Sequence, residues 1–254
     1  MAAQGGSAID PIHQFEISKI VPMELFGHDI SFSNSSLFMV IAALATGLLV
    51  VHGTRLRQLV PGRLQAAAEM TYEFIADTVV TSMGREGLKF LPLVFSLFLF
   101  VLFCNLIGLI PGTFTVTSHI IVTLAFAMLV ILTVIGYGVY KHGLKFFRLF
   151  VPSGVPGALM PFIMMIEVIS FLSRPVSLSM RLFANMLAGH IALKVFAGFI
   201  VMLTAAGGWA LLSPLPLAMI TALTALELLV ALLQAYIFSV LTCIYLNDAL
   251  HPGH

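Results

Sequence analysis

The sequence predicts an all-α membrane protein with about five membrane-embedded helices and one amphipathic interfacial helix, the last two embedded helices being long and steeply tilted. Hydrophobic residues make up 60% of the 254 residues and charged residues 9%, against about 45–50% and about 25% in soluble domains. The mean hydropathy is +1.08. Most apolar residues fall in stretches that reach the roughly 20 residues of a membrane-spanning helix. This composition excludes an ordinary soluble domain.

We predict one membrane domain, residues 1–254, that begins with a polar arm over 1–34. The arm does not have the apolar core of a secretory signal. Pro11 and Pro22 argue against one continuous helix there. The predicted helices that follow the arm span 35–54, 62–84, 90–110, 117–141, 159–205 and 214–247.

The segment 62–84 differs from the other predicted helices because it is amphipathic. Glu69, Glu73 and Asp77 recur every four residues and therefore share one side of a helix. Apolar residues occupy the rest of the surface, which indicates a helix at the membrane interface or against a partner. The three carboxylates are expected to form a solvated face.

The apolar stretch 159–205 is too long for a helix that crosses the membrane upright. As one helix it would be about twice as long as the hydrocarbon core is thick, which is about 30 Å. It must break, kink at Pro175 or lie at a steep tilt. Steep tilt is the preferred interpretation, because the polar residues of the stretch are spaced as one helical stripe.

The distribution of basic residues predicts the orientation in the membrane. Five basic residues lie between the first and second strongly apolar spans, and the loop 141–148 is also basic, whereas the loops 111–118 and 207–214 carry no charge. Basic loops face the cytoplasm. The amino terminus is therefore expected outside and the carboxyl terminus in the cytoplasm.

The two cysteines and the composition of the chain suggest no metal or redox site. Cys104 and Cys243 lie far apart in apolar runs, and they are expected to be small buried hydrophobic residues. There is no metal-binding spacing of Cys or His. No metal and no cofactor are therefore expected.

Arg181 lies in the middle of the first long apolar stretch, within a stripe of polar side chains. An ionised group at bilayer depth is costly and usually functional. At about 100° per residue, five other polar side chains fall within about 40° of Arg181 on the helix. They are Glu167, Ser170, Arg174, Ser177 and Asn185. Ala188 and Ala192 extend this face with side chains small enough for another helix to approach.

His190 lies about 180° from Arg181 on the same helix. A lone helical histidine is usually a satisfied core residue, but Glu227 favours another interpretation. Glu227 is a carboxylate in the last apolar stretch, and Gln234 and Tyr245 share its helical face. A buried acid needs a partner or a proton. We predict that His190 and Glu227 form a proton-exchanging pair.

Arg181 is expected to act as a fixed charge. Its guanidinium does not exchange protons near neutral pH. It attracts a carboxylate, repels hydronium and blocks a direct chain of waters. These properties suit a protein in which a mobile carboxylate takes up a proton on one side and releases it on the other, without direct proton flow between the sides. The alternatives are a structural ion pair with Glu167 or Asp248, or snorkelling to the interface, which the depth of Arg181 opposes.

Two segments carry a resemblance to a known family. They are SRPVSLSMRLFANMLAGH at 173–190 and ELLVALLQAYIFSVLT at 227–242. Both closely resemble the signatures of subunit a of the rotary F-type ATP synthases. The runs PIHQFE at 11–16 and NLIGLIP at 105–111 are also similar to that family. The resemblance covers nearly the whole chain.

The resemblance implies a stator subunit that provides two proton half-channels to a rotating c-ring and couples proton flow to rotation and ATP synthesis. Arg181 would be the obligatory arginine that faces the ring carboxylates. The outer half-channel would be lined by Asn185, His190, Glu227 and Gln234, and the cytoplasmic one by Glu167 and Ser177. Some family members have an acid and a histidine exchanged between the positions of His190 and Glu227.

The resemblance also implies the setting of the chain. It would lie in the bacterial plasma (inner) membrane and perform no catalytic chemistry of its own. Its partners would be the c-ring subunits, the peripheral stalk b subunits, other ATP synthase subunits and membrane lipid. No nucleic acid is expected.

The apolar sequence with an intramembrane arginine also allows two alternative functions. A secondary transporter or anion channel would use Arg181 to bind an anionic substrate, but such proteins usually show internal repeats, and none is visible. A membrane-embedded hydrolase would use His190 and Glu227, but the sequence offers no nucleophile or metal cluster at a useful spacing.

Overall fold

In the computed structural model, the described part of the chain consists of six α-helices, four short strands and two 3₁₀ turns. It covers residues 17–22, 24–25, 28–29, 31–55, 61–110, 112–143, 146, 159–205 and 213–250. The helices are α1 (Asn34–Arg55), α2 (Arg63–Met83), α3 (Leu91–Gly108), α4 (Ile120–His142), α5 (Met160–Ala205) and α6 (Pro214–Leu250). All except α2 are long and apolar enough to cross a membrane, the span of α3 beginning at Arg85. The predicted fold class is confirmed.

The amino-terminal arm contains strands that the sequence did not predict. Strand β1 (Lys19–Val21) pairs antiparallel with β4 (Phe32–Ser33), and β2 (Glu24–Leu25) pairs with β3 (His28–Asp29). Strands of two or three residues are too short for alternation of polar and apolar residues to reveal them. The PIHQFE run at 11–16 lies outside the described residues.

Helix α2 has the predicted amphipathic character. Its buried side includes Ile75 and Val79, both 0% exposed. The carboxylate-bearing residues Glu69, Glu73 and Asp77 are all exposed on this chain. That solvent covers this acidic face stays a prediction. The helix packs on α1, α3 and α6. It is not among the described helices that could span a membrane.

A short turn separates α3 from α4 where the sequence predicted the start of a helix at residue 117. Residues 116–118 form a separate 3₁₀ turn, and α4 begins at Ile120. The Ser118 hydroxyl donates to the Thr115 carbonyl at 2.6 Å. Such local side-chain hydrogen bonds compete with a helical continuation. We call residues 113–119 the polar turn.

Helix α5 is continuous over 46 residues and contains Pro175 within it. The alternative that this stretch breaks is therefore excluded. At 1.5 Å per residue α5 is about 69 Å long, so it fits an apolar layer of about 30 Å only at a steep tilt or with its ends beyond the layer.

Helix α6 has 37 residues and packs along α5. Helix α4 packs on α5 and α3 on α6. Both cysteines are buried, as predicted: Cys243 in the main core, and Cys104 in a smaller cluster with Ala42, Phe114 and Val116.

Candidate functional site

The polar residues of α5 lie in two different surroundings. Arg181, Ser177 and Asn185 are exposed, and Glu167 is half-buried. His190, on the other side of the helix, is only 7% exposed. One face of α5 therefore presents a polar stripe outward, and the opposite face carries an imidazole into the protein.

Arg181 is an exposed cation on this stripe. Within the described residues it makes neither a hydrogen bond nor an ion pair. An arginine stays charged under all physiological conditions, and a charge at bilayer depth normally has a partner. The counter-charge of Arg181 is therefore not among the described residues.

Asp248, one of the alternative partners of Arg181, forms its ion pair with Arg174. The Arg174 Nη1 lies 2.5 Å from Asp248 Oδ2, and both side chains are less than a third exposed. The rings of Phe171 and Tyr245 flank its guanidinium, with centroids at 5.4 and 5.1 Å. The ion pair thus links α6 to α5 at Arg174, the polar position that precedes Ser177 on α5. Arg174 belongs to the helix–helix contact, although the helical projection put it on the same face as Arg181.

His190 contacts the polar turn. Its Nε2 lies 3.0 Å from the Thr115 hydroxyl, and Thr115 is 0% exposed. Lys194 lies one helical turn further along α5 and is half-buried. A hydrogen bond to one ring nitrogen of a histidine decides which nitrogen carries the proton.

Glu227 is buried against α5 beside His190. The residue is 8% exposed, and a Cβ built on Gly189 would lie 2.9 Å from its carboxyl carbon. Its Oε2 is buried without a hydrogen-bond partner in the described part of the chain. No hydrogen bond joins Glu227 to His190; the carboxylate approaches α5 at Gly189, the residue before His190 in the chain. A buried carboxylate oxygen without a hydrogen-bond partner is expected to carry a proton or to bind a group outside this chain.

The polar turn extends this buried polar region to α3 and α6. Thr117 donates to Asn105 Oδ1 at 2.9 Å, and Asn105 Nδ2 donates to the Ala231 carbonyl at 3.2 Å. Ala231 lies one helical turn after Glu227. Gln234, a further turn on, is 7% exposed. The turn therefore contacts α5 directly at His190 and is linked to α6 through Asn105 of α3.

Sequence reasoning missed three contributors to this site. Gly189 falls within the 173–190 motif, and the absence of its side chain makes room for Glu227. Thr115 and Asn105 were given no role. The sequence does show Asn105 as an amide inside an apolar helix and Thr115 within a cluster of threonines in an uncharged loop. Neither feature shows which distant residue the side chain contacts.

Substitution of Gly189 by alanine is expected to displace the Glu227 carboxylate. The carboxyl group is the far end of a flexible side chain, so we expect little loss of stability but a fall in proton-coupled activity of about tenfold or more. Gly136→Ala is the matched control, because a Cβ there meets nothing within 4 Å. Equal activity in the two variants, measured in membrane vesicles, would contradict this packing.

Fold and site together define a class: a polytopic helical membrane protein in which one long helix has an exposed arginine on one side and a buried histidine on the other, with a buried carboxylate on the neighbouring helix. In the described ranges no group of three or more His, Cys, Asp or Glu residues could hold a metal ion. The arrangement can hold a fixed charge and exchange protons.

Comparison with known proteins narrows this class. The family described as ATP synthase A chain matches residues 36–247. A relative from Chelativorans sp. is 62% identical over 97% of this chain and 100% of its own length. One from Azorhizobium caulinodans is 64% identical over 97% and 99%, and one from Beijerinckia indica 60% over 97% and 98%. Each relative bears the name ATP synthase subunit a. The chain belongs to the ATP synthase A chain family.

Proposed function

We propose that this chain is the stator subunit a of an F-type ATP synthase and gives a rotating c-ring two proton half-channels, which couple proton flow to rotation and ATP synthesis. The observation that carries this proposal is the separation on α5 of exposed Arg181 from buried His190. One face can meet a carboxylate from another subunit, while the other face can exchange protons.

The fixed charge of Arg181 separates the two half-channels. It favours the ionised form of a ring carboxylate that comes close. A carboxylate that has taken up a proton no longer needs the arginine and can turn into lipid. Hydronium is repelled, so protons do not pass directly between the paths. The exposure of Arg181 and the lack of a described partner support this role.

The outer half-channel is formed around His190, Glu227, Gln234 and Asn185. The first three are less than 10% exposed, whereas Asn185 lies on the exposed stripe one turn from Arg181. Protons would pass along the buried groups and reach a ring carboxylate near the stripe. Burial supports a guarded route, because a proton relay inside the membrane requires groups shielded from lipid and from bulk water.

The cytoplasmic half-channel is formed near Glu167 and Ser177, toward the start of α5. Contacts between the helix ends support this sidedness. The Lys141 ammonium lies 3.8 Å from Glu86 and donates to the Leu250 carbonyl at 3.3 Å, so the basic end of α4 meets the end of α6. The uncharged polar turn, at the other end of α4, meets His190. Because basic ends face the cytoplasm, these contacts support a topology with His190 toward the outside and the carboxyl terminus inside.

The energy per proton explains why a ring is needed. A charge that crosses the membrane gains about 2.3 kcal/mol per 100 mV. This is far less than one ATP requires, so several protons must be coupled to each synthesis event. A ring of carboxylates that pass Arg181 one after another meets this requirement.

Isolation of the complex through a tag on this chain tests the assignment. We expect a small proteolipid with two spans and one buried carboxylate to be recovered with it, together with ATP hydrolysis activity. The control is the same tag on an unrelated polytopic protein from the same membranes. Recovery of the chain without a proteolipid ring, under conditions that keep the ATP hydrolysing part intact, would reject the proposal.

A further inference from the structure

Thr115, in the polar turn, hydrogen-bonds the Nε2 of His190, and its side chain is fully buried. Its Oγ1 lies 3.0 Å from His190 Nε2 and 3.3 Å from the Gly108 carbonyl oxygen. Gly108 is the last residue of α3. The hydroxyl thus joins the end of α3 to the imidazole on α5.

The hydroxyl has one hydrogen for these two contacts. No described backbone N–H donates to the Gly108 carbonyl outside the helices, and a buried carbonyl normally has a donor. The Thr115 hydrogen therefore goes to Gly108. The lone pairs of Oγ1 then face His190, whose Nε2 must be the donor.

We propose that Thr115 is a positioning residue that keeps a hydrogen on Nε2 of His190, so that His190 exchanges protons with the outer path through Nδ1. The inference rests on the proposed function, in which His190 is a proton relay. The contact with Thr115 suits both states of the ring, because Nε2 carries a hydrogen in this neutral tautomer and in the imidazolium. The ring can then take up and release protons without losing its anchor.

The titratable groups on the parts of α5, α6 and the polar turn closest in the chain to the contacts of His190 are Lys194, Glu227 and His119. Lys194 follows His190 on α5, Glu227 approaches from α6 beside Gly189, and His119 lies at the end of the polar turn. Thr115 is uncharged and does not titrate in this range. Its removal therefore changes the tautomer and orientation of the ring but adds no charge to this set.

The test is the pH profile of proton-driven ATP synthesis in membrane vesicles that carry the whole complex. Thr115→Val removes the hydroxyl at nearly constant volume. We expect synthesis to fall roughly tenfold and the limb of the profile that depends on His190 to move to lower pH by about 0.5–1 unit. The reason is that a protonated ring donates a stronger hydrogen bond than a neutral one. Thr115→Ser, which keeps the hydroxyl, should restore the wild-type profile.

Thr123→Val is the matched control. Thr123 is also 0% exposed, but its hydroxyl bonds backbone carbonyls of its own helical turn. Thr115→Ala removes the same hydroxyl without added bulk, and we measure it beside Thr115→Val. Each of the two variants that still assembles into the complex must show the shift of the pH profile to lower pH. In a His190→Ala background, Thr115→Val should cause no further change, because the two residues act as one unit.

The outcomes separate the inference from the function on which it rests. If His190→Ala leaves both the rate and the profile unchanged, the relay role of His190 is wrong. If His190→Ala impairs synthesis but the Thr115 variants match Thr123→Val, only the inference about Thr115 is overturned. A shift in Thr115→Val that Thr115→Ser does not restore also overturns it.

Discussion

Arg181→Ala is expected to abolish ATP synthesis driven by a proton gradient while the complex still assembles. The side chain is exposed and makes no described hydrogen bond or ion pair within the chain, so its removal leaves no buried group unsatisfied. A preorganised charge in a water-poor site contributes about 10²–10³-fold, and we expect a loss of at least that size. The measurement is the initial rate of synthesis in energised vesicles with equal amounts of complex.

Arg63→Ala is the control for this prediction. It removes an exposed arginine at the first turn of α2, away from the site. We expect it to leave synthesis near the wild-type rate. Retained proton-driven synthesis in Arg181→Ala would refute the role assigned to this residue. A complex that lacks the ring would instead show that Arg181 serves assembly.

Glu227→Gln is expected to slow proton uptake from the outer side by about 100-fold, the lower end of what a positioned proton-transfer group contributes. The amide keeps the size of the side chain but cannot take up or release a proton. Exchange of the two groups, as His190→Glu with Glu227→His, should retain more activity than either single substitution. Asp77→Asn, on the exposed acidic face of α2, is the matched control.

The result of the exchange decides whether the two groups work as a pair. Glu227 approaches α5 at Gly189, next to His190 in the chain, without a direct hydrogen bond to the imidazole. A proton that passes between the two groups therefore needs a bridging water or a movement of a side chain. If the double exchange is no better than the worse single variant, the two residues act separately. The polar turn would then have to supply the next group in the path.

The helices could be predicted because long apolar runs and helical periodicity are local properties of the sequence. The period of 3.6 residues put Arg181 and His190 on opposite sides of α5, and their exposures differ accordingly. The acidic stripe of α2 was predicted in the same way. The strands of the arm could not be predicted, because two or three residues carry no period.

The contacts of the site could not be predicted because they depend on how the helices cross. Arg174 and Arg181 share a face by projection, yet Asp248 pairs with Arg174. Thr115 meets His190 across 75 residues of sequence. The close approach of Glu227 to Gly189 depends on the spacing of two helix axes. Each of these is a tertiary relation that periodicity alone does not specify.

Passive proton conductance of vesicles that carry only the membrane sector tests most directly the claim that Arg181 is a fixed barrier between two proton paths. Conductance is measured under an imposed potential with rotation of the ring blocked. Wild-type vesicles should be tight, and Arg181→Ala vesicles should leak protons, because no fixed charge then excludes hydronium from the gap. If Arg181→Ala vesicles stay as tight as the wild type, something other than Arg181 separates the two paths.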